Sequence, residues 1–308
     1  MPMVTIMLSI LFALLAAGSN ALGTVLQRRA ALTVPASRSL RIGLIRDLTH
    51  TPVWFGGMLG VIFAALFQAL ALATGSLAAV QPIFILELPL ALVIGGMVFR
   101  VGVTRASWIR VACIVGGLAV VLFSLAPTGG REQVPGIWWW LPALAVTGGI
   151  GAALVLTGLR RPAGLMRAAS LAAAAAIGNA VTAALVKSAM EVLSTRGTVA
   201  FFTAWQTYSF AAVGSFSLFL LGVAMQGGPL IGSQPALTLG DATVSFCLGV
   251  TLYGEHPRTG FWLLPALLGL GVLLYGILGL SRTRCLARCL DPGKDELDAM
   301  GQPAAARG

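Results

Sequence analysis

VQPIFILELPLALVIGGMVFRVGVTRASW, residues 80–108, and SQPALTLGDATVSFCLGVTLYGEHPRTGF, residues 233–261, decide how this chain is read. The two stretches align without a gap at a constant offset of 153. Gln81/Gln234, Pro82/Pro235, Gly96/Gly249 and Arg105/Arg258 coincide, and Trp108 is matched by Phe261. Gly75/Gly228 and Gly116/Gly269 extend the register on both sides. Further upstream, GSNALGTVLQR around Asn20 matches IGNAVTAALVK around Asn179 at offset 159. The apolar part of each copy carries a single acid, Glu87 in the first and Asp241 in the second.

The rest of the chain has the composition of lipid-solvated helices. Of 308 residues, 57% are hydrophobic and 10% charged, where soluble domains run near 45–50% and about 25%. Mean hydropathy is +0.91. Too few charges remain to coat a soluble surface, which excludes a cytosolic enzyme, a disulfide scaffold or a disordered chain. No Asp, Glu, Lys or Arg occurs in 3–27, 111–130, 133–159, 168–186 or 259–281. About 20 apolar residues cross the hydrocarbon as a helix, which satisfies its own backbone hydrogen bonds there. Cutting at turn signals and charge clusters predicts nine spans: 3–27, 52–74, 78–99, 105–126, 136–159, 165–190, 200–225, 230–253 and 260–281.

The matched runs are spans three and eight, five crossings apart, so the copies run in opposite directions. The predicted fold is an all-α polytopic membrane protein with an inverted-topology repeat. It occupies 1–285 as one transmembrane domain: repeat one 3–126, a linking helix 136–159 and repeat two 165–281. A tail, 286–308, is expected to be disordered and cytoplasmic. Counting loops alternately puts 16 of the 20 Lys and Arg residues on one side, which the positive-inside rule makes cytoplasmic, with the N-terminus outside. Arg28 and Arg29 follow the first apolar run, and no basic residue precedes it. It is therefore expected to be retained rather than cleaved as a signal peptide. The net charge of +10 then resides in short loops, and no nucleic-acid partner is expected.

On the stretches NALGTVLQRRA, TPVWFGGML, SLAAVQP, GPLIGSQPALT and LYGE, the chain resembles the drug/metabolite transporter superfamily. Its nine-span pattern is similar to the NIPA-type magnesium transporters and their bacterial relatives. The superfamily's usual form has ten spans as five plus five, and the first of these is missing here. The resemblance implies transport, with a divalent cation such as Mg2+ among the candidate substrates.

Glu87 lies 10 residues into span three and Asp241 11 residues into span eight, each about 15 Å from its end at 1.5 Å per residue. A carboxylate at that depth is costly and is kept where it meets a cavity or a partner. Both are candidate cation or proton sites; the alternative is a packing contact between helices. Asp241 follows Gln234 by seven residues and Glu87 follows Gln81 by six, so the acids are near-symmetric. Gln81, Gln234, Asn20, Asn179 and Gln68 are candidate ligands or gates, or else amides bonding between helices. Pro82, Pro89 and Pro235 free carbonyls or kink their helices. Trp138, Trp139 and Trp140 read as an interfacial anchor. Leu40, Leu44 and Leu48 in RSLRIGLIRDL suit a helix on the inner leaflet.

The expected function is a secondary transporter in the cytoplasmic membrane, moving a small solute or cation by alternating access, with proton coupling one option. The alternatives are a NIPA-type divalent cation transporter and, in another class, a non-transporting or lipid-handling membrane partner. Only His50 and His256 are present, with no Ser-His-acid set, so neither enzyme activity nor a cofactor is expected. Cys113 and Cys247 fall within spans, and Cys285 and Cys289 make a poor zinc site without a nearby His. Partners are the substrate and the bilayer, with a homodimer as one possible assembly.

Overall fold

The computed structural model describes residues 3–31, 52–100, 102–127, 135–226 and 230–281. All secondary elements among them are helices. In chain order these are α1 (Met3–Ala31), α2 (Pro52–Thr74), α3 (Leu77–Ile83), α4 (Glu87–Phe99), α5 (Arg105–Leu125), α6 (Ile137–Leu159), α7 (Leu165–Thr203), α8 (Trp205–Gln226), α9 (Leu230–Thr251) and α10 (Leu263–Ser281). Short 3-10 turns at Phe84–Leu86 and Gly260–Trp262 lead into α4 and α10.

Eight helical stretches, with α3 and α4 counted as one, are long and apolar enough to cross a membrane. The chain is thus a multi-pass helical membrane protein. The remaining helix, α9, is 22 residues long and carries Gln234, Thr238 and Asp241; it is not among the eight. Large apolar side chains point outward along the helices, among them Phe63 and Leu66 on α2, Phe219 on α8 and Leu268 on α10. That is the surface hydrocarbon solvates and water does not.

Helices in lipid gain little from hydrophobic exclusion, so close backbone contact must hold them together, and small residues permit it. A Cβ on Gly60 would lie 2.9 Å from Gly23 Cα, and one on Gly23 2.9 Å from the Gly57 carbonyl oxygen. With Gly60 also against the Ser19 carbonyl, α1 and α2 cross antiparallel. In the second half, Gly178 meets Ser217 and Gly214 meets Thr182, so α7 and α8 cross the same way. The contacts correspond one to one: Ser19, Gly23, Gly57 and Gly60 become Gly178, Thr182, Gly214 and Ser217, at offsets of 159 and 157.

Two further contacts join the halves. Gly117 on α5 packs on Gly269 on α10, where a Cβ would sit 2.7 Å from the Gly269 carbonyl oxygen. The start of α3 meets the end of α9, with a Gly249 Cβ 3.1 Å from the Ala78 nitrogen. Further along the third crossing Glu87 is within electrostatic reach of Asp241, earlier on α9, so the two stretches run antiparallel. Helix α7 sits centrally, packed on α6, α8, α9 and α2. The linking helix α6 packs chiefly on α7, with Trp140 and Gly158 its buried residues.

Two details differ from the sequence reading. The connection expected over 191–199 is helical, and α7 runs to Thr203 across a break at Gly197, whose φ of +82° suits only glycine comfortably. Trp138 is 81% exposed as an anchor should be, but Trp140 is fully buried, stacked edge-on against Trp205 at 5.6 Å. One helical residue type therefore serves both lipid and core within three positions. The expected inner-leaflet helix around 38–48, the tail 286–308, His50, Cys285 and Cys289 lie outside the described residues.

Candidate functional site

The site begins with a local fault in the third membrane-crossing stretch. Proline donates no backbone hydrogen bond and fits a helix only in its first turn. Pro89 is the third residue of α4, and the 3-10 turn Phe84–Leu86 separates it from α3, which holds Pro82. The break makes Glu87 the first residue of α4.

The Asn20 side chain, from α1, lies beside the Glu87 carboxyl. From the other half, Asp241 on α9 comes close enough to interact electrostatically with Glu87. Ser245, one turn further along α9 and fully buried, donates to Asp241 Oδ1 at 3.4 Å. Of the sequence candidates, Asn20, Glu87 and Asp241 are brought together. Both acids are half-buried.

The other candidates divide. Gln81 is 2% exposed and its Nε2 has no hydrogen-bond partner, an unsatisfied donor half-way between the start of α3 and Glu87. Gln68, Asn179 and Gln234 are half-buried, and no hydrogen bond is recorded between their side chains and the acids. Asn179 lacks the role of its counterpart Asn20 for a visible reason. The position equivalent to Glu87 at offset 153 is Gly240, where a Cβ would already be 2.9 Å from Ala176 Cβ. Helix α9 lies too close to α7 there for an acid, and the carboxylate sits one residue on. Among the described residues, no three of His, Cys, Asp and Glu cluster together.

A second charged cluster was not anticipated. Glu255, just beyond α9, is completely buried. Its Oε1 accepts from the Leu77 backbone N–H at 2.6 Å and from Lys187 Nζ at 2.9 Å, and its Oε2 from the Ala78 N–H at 2.8 Å. Lys187 Nζ also donates to the Gly75 carbonyl at 2.8 Å and lies 5.0 Å from the Tyr253 ring centroid. The Tyr253 hydroxyl in turn donates to the Ala184 carbonyl at 2.5 Å. The first N–H groups of a helix have no partner within it, and here the carboxylate supplies one. By sequence alone, Lys187 and Glu255 looked like boundary charges, because each ends an apolar run. The usable signal was that they are opposite charges on the same end of the bundle.

The chain is similar over 286 residues to a protein of Corynebacterium glutamicum described as uncharacterized, at 29% identity, covering 90% of this chain and 96% of that protein. No protein-family profile and no solved structure matches the chain.

Proposed function

We propose that the protein is a secondary transporter for a small solute or cation, built as nine crossings with a four-plus-four inverted repeat around the linking helix α6. One observation carries this reading: acids from the two halves, Glu87 and Asp241, lie about half-way along their helices and within electrostatic reach of each other. Inverted repeats place binding sites near the midplane where the halves join, and ionisable groups at that depth mark ion or substrate pathways. The antiparallel course of α3 and α9, and the equivalent crossings of α1–α2 and α7–α8, support the repeat. The Arg and Lys distribution supports an outer N-terminus and placement in the cytoplasmic membrane.

Two carboxylates that feel each other's charge call for compensating positive charge. A proton or a cationic substrate supplies it, and competition between them couples the two fluxes. Loading the pair removes the repulsion between the halves at that point and lets them rock around it. Asn20 and Ser245 orient the carboxylates, and the break at Phe84–Leu86 gives the third crossing a hinge beside them. A divalent cation such as Mg2+ is the second reading, favoured by the oxygen-rich set of Glu87, Asp241, Asn20 and Ser245. Mg2+ would keep several of its waters in such a site.

Flux into sealed proteoliposomes, with and without a pH gradient, tests the proposal using Mg2+ and a panel of cationic metabolites. Saturable flux that is lost in Glu87→Gln and Asp241→Asn is expected. Flux equal to that of empty vesicles across the panel and for protons, from correctly folded protein, would refute it.

A further inference from the structure

We infer that Glu255 and Lys187 form a latch that holds the bundle shut at the end where α3 begins, and that it must part for the acid pair to be reached from that end. The inference rests on the alternating-access reading above and adds to it which end is closed, and by what.

The geometry points to a latch because three of its four hydrogen bonds cross between the halves, the fourth tying Lys187 to Glu255. Glu255 and Lys187 belong to the second half, while the Leu77 and Ala78 N–H groups and the Gly75 carbonyl belong to the turn between α2 and α3 in the first. A cluster serving only to stabilise one half would bond within that half. The bonds involve charged partners, which makes them strong and short, yet they grip a turn and not a long packed surface. Near them, Gly249 lets α9 come against Ala78, so parting the latch releases a close approach as well. Ten residues further along the third crossing lies Glu87, so the latch and the acid pair share one lever.

The opposite end lacks the equivalent acid. At offset 153 the counterpart of Glu255 is Gly102, an exposed glycine with nothing within 4 Å of an added Cβ. Among the described residues the carboxylate stands at one end alone, which favours closure at that end. The balance between the two closed states is then set by Glu255.

Spin labels on the full chain in nanodiscs test this, with Cys113, Cys247, Cys285 and Cys289 replaced by serine. Labels at Ala73 and Thr251, both exposed, span the halves at the latch end. Labels at Met97 and Met166, exposed to 76% and 56%, span them at the other. A pair within the first half, at Leu22 and Leu59, reports whether the fold survives. In the parent the latch-end distance is single and short. In Glu255→Gln and Lys187→Met a longer distance is expected to grow from under about one molecule in ten to a major population, with the Leu22–Leu59 distance unchanged. An unchanged latch-end distance overturns the latch and leaves the transport reading standing. Loss of the Leu22–Leu59 distance in both variants makes Glu255 a folding residue and also overturns it. Opening at the latch end with no shortening of the Met97–Met166 distance upholds the latch and sinks alternating access instead.

Discussion

Gly116 and Gly117 are neighbours on α5 and should answer very differently to the same substitution. A Cβ on Gly116 meets nothing within 4 Å, because that face looks outward. On Gly117 it would lie 2.7 Å from the Gly269 carbonyl oxygen, 2.7 Å from the Leu273 nitrogen and 3.0 Å from Leu273 Cα. Ordinary contact begins near 3.4 Å, so the overlap is about 0.7 Å, and it is with helix backbone that cannot rotate away. The two helices must separate, and forcing extra methyl volume into a packed contact costs about 1–3 kcal/mol. At about 2–4 °C per kcal/mol for chains somewhat smaller than this, Gly117→Ala should lower the detergent-solubilised melting temperature by about 2–12 °C. Gly116→Ala should leave it within about 1–2 °C, since exposed substitutions stay within roughly ±0.5 kcal/mol. Scanning fluorimetry on both variants, purified side by side, measures the difference. Equal melting temperatures would show that α5 and α10 do not touch at this glycine and would remove one of the contacts that join the halves.

Lys187→Met leaves the buried Glu255 carboxylate with backbone donors alone and should cost about 3–5 kcal/mol. Lys187→Met with Glu255→Gln should recover part of that in a double-mutant cycle, and simple additivity would mean the two groups do not interact. Trp140→Ala, which empties a fully buried ring site, should cost about 3–5 kcal/mol. Trp138→Ala, at 81% exposure, should be near neutral, and the reverse order would contradict the packing of α6. Reporter fusions after Arg100 and Arg161 should read cytoplasmic, and those at Arg131 and Arg196 should read external. Any pair reading the opposite way refutes the nine-crossing topology.

Most of the helical scaffold could be read from the charge-free intervals, because lipid imposes one rule on every span: satisfy the backbone internally and stay apolar for about 20 residues. Helix α9 shows where that rule weakens. Gln234, Thr238 and Asp241 make it too polar to pass by hydropathy, and only its match to residues 80–108 marked it as an equivalent of the third crossing. The pairing of Glu87 with Asp241 was legible as far as depth, since counting residues from a helix start gives height. It was not legible in azimuth. The break at Phe84–Leu86 rotates everything after it, so the face shared by Gln81 and Glu87 could not be computed from a continuous helix. The Glu255 latch escaped because charges at span ends ordinarily mean water or headgroups. Nothing local in GEH says that this acid turns inward to cap a distant helix.

The repeat is kept where the helices pack and abandoned at the charged positions. Ser19, Gly23, Gly57 and Gly60 have small-residue counterparts at Gly178, Thr182, Gly214 and Ser217, so each half presents the same crossing. On the proposed alternating-access reading the two ends need matched packing, because unequal packing would itself bias which end is closed. The charged positions break the correspondence: Glu87 against Gly240, Asp241 against Leu88, Glu255 against Gly102. A site on a two-fold axis sees both halves at once, so one acid from each half, offset by one residue, makes a single asymmetric pair. With both Glu87 and its symmetric copy present, α9 could not approach α7 at Ala176 as closely as it does. Gly240→Glu is therefore expected to push α9 off α7 and to unfold the second half, whereas Leu88→Asp adds an acid to α4 without that clash. If Gly240→Glu is the better tolerated of the two, close packing of α9 on α7 is not what displaced the carboxylate.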